Sequence, residues 1–414
     1  MMGQIMTVAN AFRFFAATLF LSSSLPAVAQ GGPFALTHAN LFDGSKNQIS
    51  KDVTVFVRDG LIEHIATGEV NISGDYEVID AEGNYLMPGM FDVHTHIDSV
   101  DRARHAVESG VTTVRSASVT SFQDVSLREL VREGKLAGPE FLAAGIYITP
   151  NLGDTILADP RLVALMDGVN TDDELRLLVN INVDRGVDVI KTRGTQRAGL
   201  PDTDPRQQVY TERQLRVVVD EAAKHGLSVL VHAHGDEGAR AAVLAGARSI
   251  EHGTYLSNET LLLMKERGTW FVPTYVTMDA MNEERYGYVL RLRGKHMVPQ
   301  LERAIREAHR IGVKIATGAD HYYEEDAINR ISIEVERFVE LGMSNFEALQ
   351  TATVNSAELL QIADRTGRIE EGFEADLILI PDNPLTNIEA LQDVLLVMSN
   401  GQLVLKRIPF SVSD

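Results

Sequence analysis

His94 and His96 stand two residues apart in the run Pro88-Gly89-Met90-Phe91-Asp92-Val93-His94-Thr95-His96. On an extended strand that spacing sends both imidazoles from one face, where they can grip one metal ion. A lone H-x-H pair is weak evidence for such a site. It gains weight from His232, His252 and Asp320, each of which closes a later apolar run: Leu230-Val231-His232, Ile250-Glu251-His252 and Gly318-Ala319-Asp320. Lys191 closes another, Val189-Ile190-Lys191. An ammonium beside divalent ions would be repelled, so a lysine in that position is neutral or chemically modified. The other reading of Lys191 is a salt bridge to Asp320 with no metal role. The chain has no cysteine, which excludes disulfides, a thiolate nucleophile and iron–sulfur clusters and leaves His, Asp, Glu or Lys to hold any metal.

These residues need a scaffold that brings distant strand ends together. Apolar runs alternate with amphipathic stretches along the middle of the chain. The strands expected are Gly89–His96, Val111–Ser118, Phe141–Ile148, Val187–Arg193, Ser228–His234, Ser249–Tyr255, Trp270–Val276 and Lys314–Asp320. Helical stretches are expected at Thr211–His225, Asp236–Ala245, Asn258–Arg267 and Gln300–Ile311. Eight βα units make an α/β fold of the (β/α)8, TIM-like barrel type, whose active sites lie at the C-terminal ends of the strands. The apolar residues open each strand here and the titratable ones close it. The two ends of the chain read differently, as short β-runs around the turns Asp59-Gly60 and Asn400-Gly401. Too short to bury separate cores, they are expected to pair into one small β-sandwich. The expected organisation is a β-sandwich from residues 30–85 and 367–414 around a barrel over 86–366.

Of the 414 residues, 38 are Lys or Arg and 58 Asp or Glu, a formal net charge of −20 that argues against nucleic acid and anionic lipid as partners. Residues 1–29 have the form of an export signal: Arg13, an apolar stretch from Phe14 to Leu25, and the cleavage pattern Ala27-Val28-Ala29. Ser22-Ser23-Ser24 interrupts that stretch, which is shorter than the roughly 20 residues of a membrane span. An exported protein beginning at Gln30, periplasmic where the source has two membranes, is the expectation.

The opening run through His96 resembles the first motif of the amidohydrolase superfamily. Val231-His232-Ala233-His234-Gly235 and Ser249-Ile250-Glu251-His252-Gly253 resemble its prolidase-like and imidazolonepropionase-related branch, which includes ochratoxin-hydrolysing enzymes. Gly367-Arg368-Ile369-Glu370-Glu371-Gly372-Phe373-Glu374-Ala375-Asp376-Leu377 is similar to the family's return to its β-sandwich. The resemblance implies two divalent ions, with zinc the expected metal. His94, His96 and Asp320 would hold one ion, His232 and His252 the other, and an N-carboxylated Lys191 would bridge them. Two such ions can share a hydroxide and polarise a carbonyl. Asp320 would take the proton of that water and pass it to the leaving amine. His234 would hydrogen-bond the substrate carbonyl or carboxylate; the alternative is that it orients a ligand. Relatives of this branch commonly form homo-oligomers, so more than a monomer is expected.

The reaction so implied is hydrolysis of an amide or peptide bond in a dipeptide or N-acyl amino acid, ochratoxin-like amides included. Lactone, carbamate or phosphotriester hydrolysis on the same site is the alternative enzyme reading, and a silent scaffold the non-enzymatic one. Many relatives carry a Gly-His pair after the third strand, where this chain has Gly145-Ile146-Tyr147 and no histidine; Tyr147 either substitutes with its hydroxyl or is plain core. An acidic protein that binds an anionic substrate needs local cations, for which Arg115, Arg193 and His234 are the candidates. Arg193, two residues beyond Lys191, could reach a substrate carboxylate or pair with Asp188.

Overall fold

The computed structural model describes residues 32–324 and 330–408. The expected export signal lies outside them. Among the described residues no helix is long and apolar enough to cross a membrane.

Both chain ends contribute to one mixed sheet of eight strands. Leu377–Ile380 runs antiparallel to Tyr85–Pro88, with Leu377 opposite Pro88 and Ile380 opposite Tyr85, and so joins the two ends. Asp59-Gly60 and Asn400-Gly401 close hairpins at the expected turns, and all four residues have positive φ, as a two-residue hairpin of this twist requires. The pairing links all eight strands by hydrogen bonds into one sheet.

The middle of the chain is α/β. Met90–Thr95, Val111–Ser116 and Glu140–Leu142 form a parallel three-stranded sheet; Val189–Arg193, Ser228–Ala233, Ser249–His252 and Trp270–Val272 form a parallel four-stranded one. Single bridges at Ile148–Thr192 and Phe271–Ile315 link further segments to these sheets. Several strands are shorter than expected. Phe141–Ile148 reduces to Glu140–Leu142 because side chains take the next amides: Asp124 accepts from Ala144 and Gly145, and Asn182 from Ile146. Trp270–Val276 stops at Val272, since Pro273 has no N–H and Thr274 turns left-handed at φ 51° into a helix, Tyr275–Ala280. The expected strand Lys314–Asp320 is an irregular segment. Its Ala316 amide donates to Phe271 O, and it receives Val93 N–H at Thr317 O, so it still lies between the strands Trp270–Val272 and Met90–Thr95.

Helices Asp236–Ala245 and Asn258–Arg267 have the expected bounds. Gly246 and Gly268 end them in the left-handed region, and Ser257 caps the second by accepting Thr260 N–H. Glu212–Ala223 starts one residue after Thr211, which forms a capping box with Gln214. The helix expected at Gln300–Ile311 begins much earlier, at Tyr288, and continues through Pro299. These helices bury one face against the strands in a core that includes Val114, Ile190, Val231, Ile250 and Leu301.

Candidate metal centre

The strand ends bring five imidazoles together. Ring centroids of His232 and His252 are 4.5 Å apart, His234 and His252 4.7 Å, His94 and His252 5.0 Å, and His94 and His96 5.6 Å. Ligand atoms of His94, His96 and Asp320 lie within 4.8 Å of one another, and so do those of His232, His234 and His252. Two adjacent sets of donors of the kind that bind divalent metal thus face each other. Distance alone does not separate His232 from His234 in the second set.

Each ring is held at one nitrogen by a group outside the two donor sets, and His96 Nε2 also meets Asp320 Oδ1 at 3.1 Å. His94 Nδ1 donates to Glu251 Oε2 at 2.6 Å, and His96 Nδ1 to the Ser118 carbonyl at 2.7 Å. His252 Nδ1 bonds Thr274 Oγ1 at 2.7 Å, and His234 Nδ1 bonds Thr254 Oγ1 at 2.9 Å. His232 is held the other way round, with Nε2 donating to the Gln196 carbonyl at 3.1 Å. Such contacts fix ring orientation and leave the opposite nitrogen to a metal or substrate. Burial lowers the pKa of His94 to about 4 and of His234 to about 3, and takes His232 and His252 well below the usual range. Four of the rings are therefore neutral at pH 7, as ligands must be. For Asp320, burial opposes the charge, but His94, His96 and Lys191 outweigh it and hold the carboxyl well below the ordinary range.

Lys191 is 2% exposed and its Nζ has no hydrogen-bond partner; the salt bridge to Asp320 does not form. Burial brings its pKa down to about 7 against the pull of Glu251 and Asp320. A buried amine at that value is neutral in a large fraction of molecules and can react as a nucleophile.

Arg115 is not a pocket cation. It is fully buried, donating Nη2 to both Glu251 oxygens at 2.9 and 3.0 Å and Nε to the Val93 carbonyl. Arg193 does not pair with Asp188, which bonds Arg128 at 2.5 Å; its Cζ lies 4.6 Å from the centroid of the Tyr147 ring. His321 is buried against Tyr323, whose backbone N–H donates to its Nδ1. Glu251 and Asp92 were not anticipated as site residues. Asp92 is completely buried and accepts from His94 N–H, Ala319 N–H and Tyr323 Oη, tying the first histidine strand to the segment carrying Asp320. Its place two residues before His94, on the same strand face, was the available signal.

The sequence model of the amidohydrolase family matches residues 85–404. The chain belongs to this family. This amidohydrolase is a metal-dependent hydrolase acting on C–N bonds. It is 28% identical to an ochratoxinase from Aspergillus niger over 358 residues, 74% of this chain and 72% of that one. An imidazolonepropionase from Kosmotoga olearia is 22% identical over 394 residues, 87% of this chain and 92% of that protein. Among solved structures, a Xaa-Pro dipeptidase with methionine bound in its active site superposes with a TM-score of 0.81 at 29% identity, over 90% of this chain and 99% of that one. The Aspergillus niger ochratoxinase structure shares the fold, at a TM-score of 0.77 and 24% identity over 91% and 96% of the two chains.

Proposed function

We propose that this amidohydrolase cleaves an amide or peptide bond adjoining a free carboxylate, in dipeptides, N-acyl amino acids or ochratoxin-like amides, at a centre of two divalent ions, zinc by preference. His94, His96 and Asp320 would hold one ion and His232 and His252 the other, with an N-carboxylated Lys191 as a ligand shared between them. The observation that carries this reading is the partnerless Lys191 amine, buried beside two metal-binding clusters. As an ammonium it would be a desolvated charge with no hydrogen-bond partner; as a carbamate it would be an anionic ligand.

When bound, the ions supply Lewis acidity and an acidified water. Asp320, facing both His94 and His96, accepts the proton of the attacking water and returns it to the departing amine. His234 hydrogen-bonds the substrate carbonyl or carboxylate from the other wall, held by Thr254. Arg193 and the buried Tyr147 hydroxyl beside it receive the carboxylate of the leaving group.

The same reading closes the two parallel sheets and the Lys314–Asp320 segment into a (β/α)8 ring spanning 86–366, with the terminal sheet of 30–85 and 367–414 folded over its own apolar face as a small sandwich. The protein is exported after cleavage before Gln30, and it works as a homo-oligomer. The experiment is a panel in which each carboxylate substrate is paired with its carboxamide and run beside a lactone and a phosphotriester. Faster turnover of the carboxylate amides supports the reading. Equal rates for acid and carboxamide sink the carboxylate contact, and preference for lactone or phosphotriester replaces the reaction.

A further inference from the structure

Two guanidiniums lie beside Tyr147, one more than a single carboxylate needs. Arg193 Cζ is 4.6 Å from its ring centroid and Arg197 Cζ 5.5 Å. The phenol is 8% exposed, and the Arg193 guanidinium lies against its hydroxyl. Among the described residues no carboxylate lies within 4.0 Å of Arg193 or Arg197. Arg206, Arg213 and Arg216, next along the chain, pair with Asp204, Asp172 and Glu212. The mutual repulsion of Arg193 and Arg197 is relieved when an anion enters.

Arg197 is also on a fixed segment. The carbonyl of Gln196, the residue before it, accepts from His232 Nε2. Arg293 donates to the carbonyl of Ala198, the residue after it, and further along to those of Leu200 and Thr203, each at 2.6 Å. The loop returns to the strand end by Val209 N–H to Gly194 O at 2.8 Å. The backbone of Arg197 is thus held on both sides, so capture of a ligand orders its exposed side chain alone.

We propose that Arg197 forms a second carboxylate subsite, so that the preferred leaving groups are dicarboxylic amino acids: N-acyl-aspartate or N-acyl-glutamate, and dipeptides ending in Asp or Glu. Arg193 with Tyr147 takes the α-carboxylate and Arg197 the side-chain carboxylate. This rests on the amide hydrolysis proposed above and names its substrate class.

The test measures kcat/KM of the metal-loaded protein on Ala-Glu and Ala-Gln, together with calorimetric binding of the free products glutamate and glutamine. The wild type should favour Ala-Glu by roughly ten- to a hundredfold, the range expected for one added charged hydrogen bond. Arg197→Gln should bring that ratio near one and weaken glutamate binding by a similar factor. Arg206→Gln, an exposed arginine paired with Asp204, is the control and should leave the ratio as it was. Equal wild-type rates on the two dipeptides, or a ratio untouched by Arg197→Gln, overturns the subsite. If neither dipeptide is cleaved, the calorimetry still rules on it: glutamate bound tighter than glutamine through Arg197 keeps the subsite and sinks the reaction, and equal binding sinks both.

Discussion

Glu251 Oε2 lies 2.6 Å from Nδ1 of His94, and the same carboxylate is gripped from its other side by the buried Arg115. Ser249 Oγ donates to Glu251 Oε1 at 2.5 Å. A first metal-ligand candidate is therefore oriented by a carboxylate that is itself fixed by a guanidinium, beneath the strand ends where the donors meet. A carboxylate behind an imidazole raises its basicity and holds its tautomer.

Glu251→Gln should consequently lower metal affinity by about 10- to 100-fold while the chain stays folded, because the amide fills the same space and retains one acceptor. Arg115→Met should act on stability instead, costing about 3 to 5 kcal/mol by leaving a buried carboxylate without its cation. Competition against a chelator of known affinity reads the first effect and thermal unfolding the second. Unchanged metal affinity in Glu251→Gln would show that His94 needs no orienting partner.

Lys191→Ala should be nearly inactive and poor in metal, with partial recovery when a short carboxylic acid is added to fill the space of the carbamate. Assembly of the wild-type site should depend on dissolved carbon dioxide as well as metal. A variant with normal metal content and turnover would leave Lys191 no part in the centre.

How far the sequence reveals this site depends on backbone alternation. His94, on the strand, and His96, just past its end, are legible as a pair from their spacing, and so are the helices ended by Gly246 and Gly268. Glu251 was not. Simple alternation sends adjacent residues to opposite faces, yet Glu251 bonds His94 while the His252 ring also lies 5.0 Å from it. His252 has φ 72° and Asp320 φ 51°, left-handed turns that bring the last side chain of the strand back inward. Nothing in a strand-like run of letters announces such a turn. Arg115 was misplaced for a related reason: it ends an apolar run, like the metal-site residues, but its long stem points into the core where Glu251 waits. The irregular backbone around Asp320 likewise follows from side chains, with Asp92 taking the Ala319 amide that a regular ladder would have used.

Tyr147→Phe and Arg193→Gln should each raise KM for carboxylate substrates by roughly 5- to 150-fold, the cost of about 1 to 3 kcal/mol for removing one hydrogen bond to a charged group. Corresponding carboxamides should respond less. Steady-state kinetics on paired substrates checks this, and equal losses on both members of a pair would make Tyr147 a packing residue.

Glu334 offers a pH test on a group other than the histidines. It is fully buried, accepts the backbone N–H groups of Tyr275 and Val276, and is pushed by burial from 4.5 up to about 8 in spite of them. The folded chain keeps this proton to about pH 8, whereas the unfolded chain releases it near 4.5. The folded state thus binds more protons in that window, and this group's contribution to stability is full below it and lost as pH rises, by up to about 1.4 kcal/mol per unit. Glu334→Gln, which cannot titrate, should be less stable than the wild type at pH 5, with the gap shrinking toward pH 8. Denaturant melts of both proteins across that range check it; a gap independent of pH would contradict the assignment.

The central claim is a two-metal centre built on His94, His96, Lys191, His232, His252 and Asp320. Elemental analysis of the purified protein after mild dialysis, paired with turnover before and after chelation, tests it most directly. The account predicts about two divalent ions per chain, loss of activity with loss of metal, and a fall of orders of magnitude in both His94→Ala and Asp320→Ala. A metal-free chain that retains full turnover would contradict it.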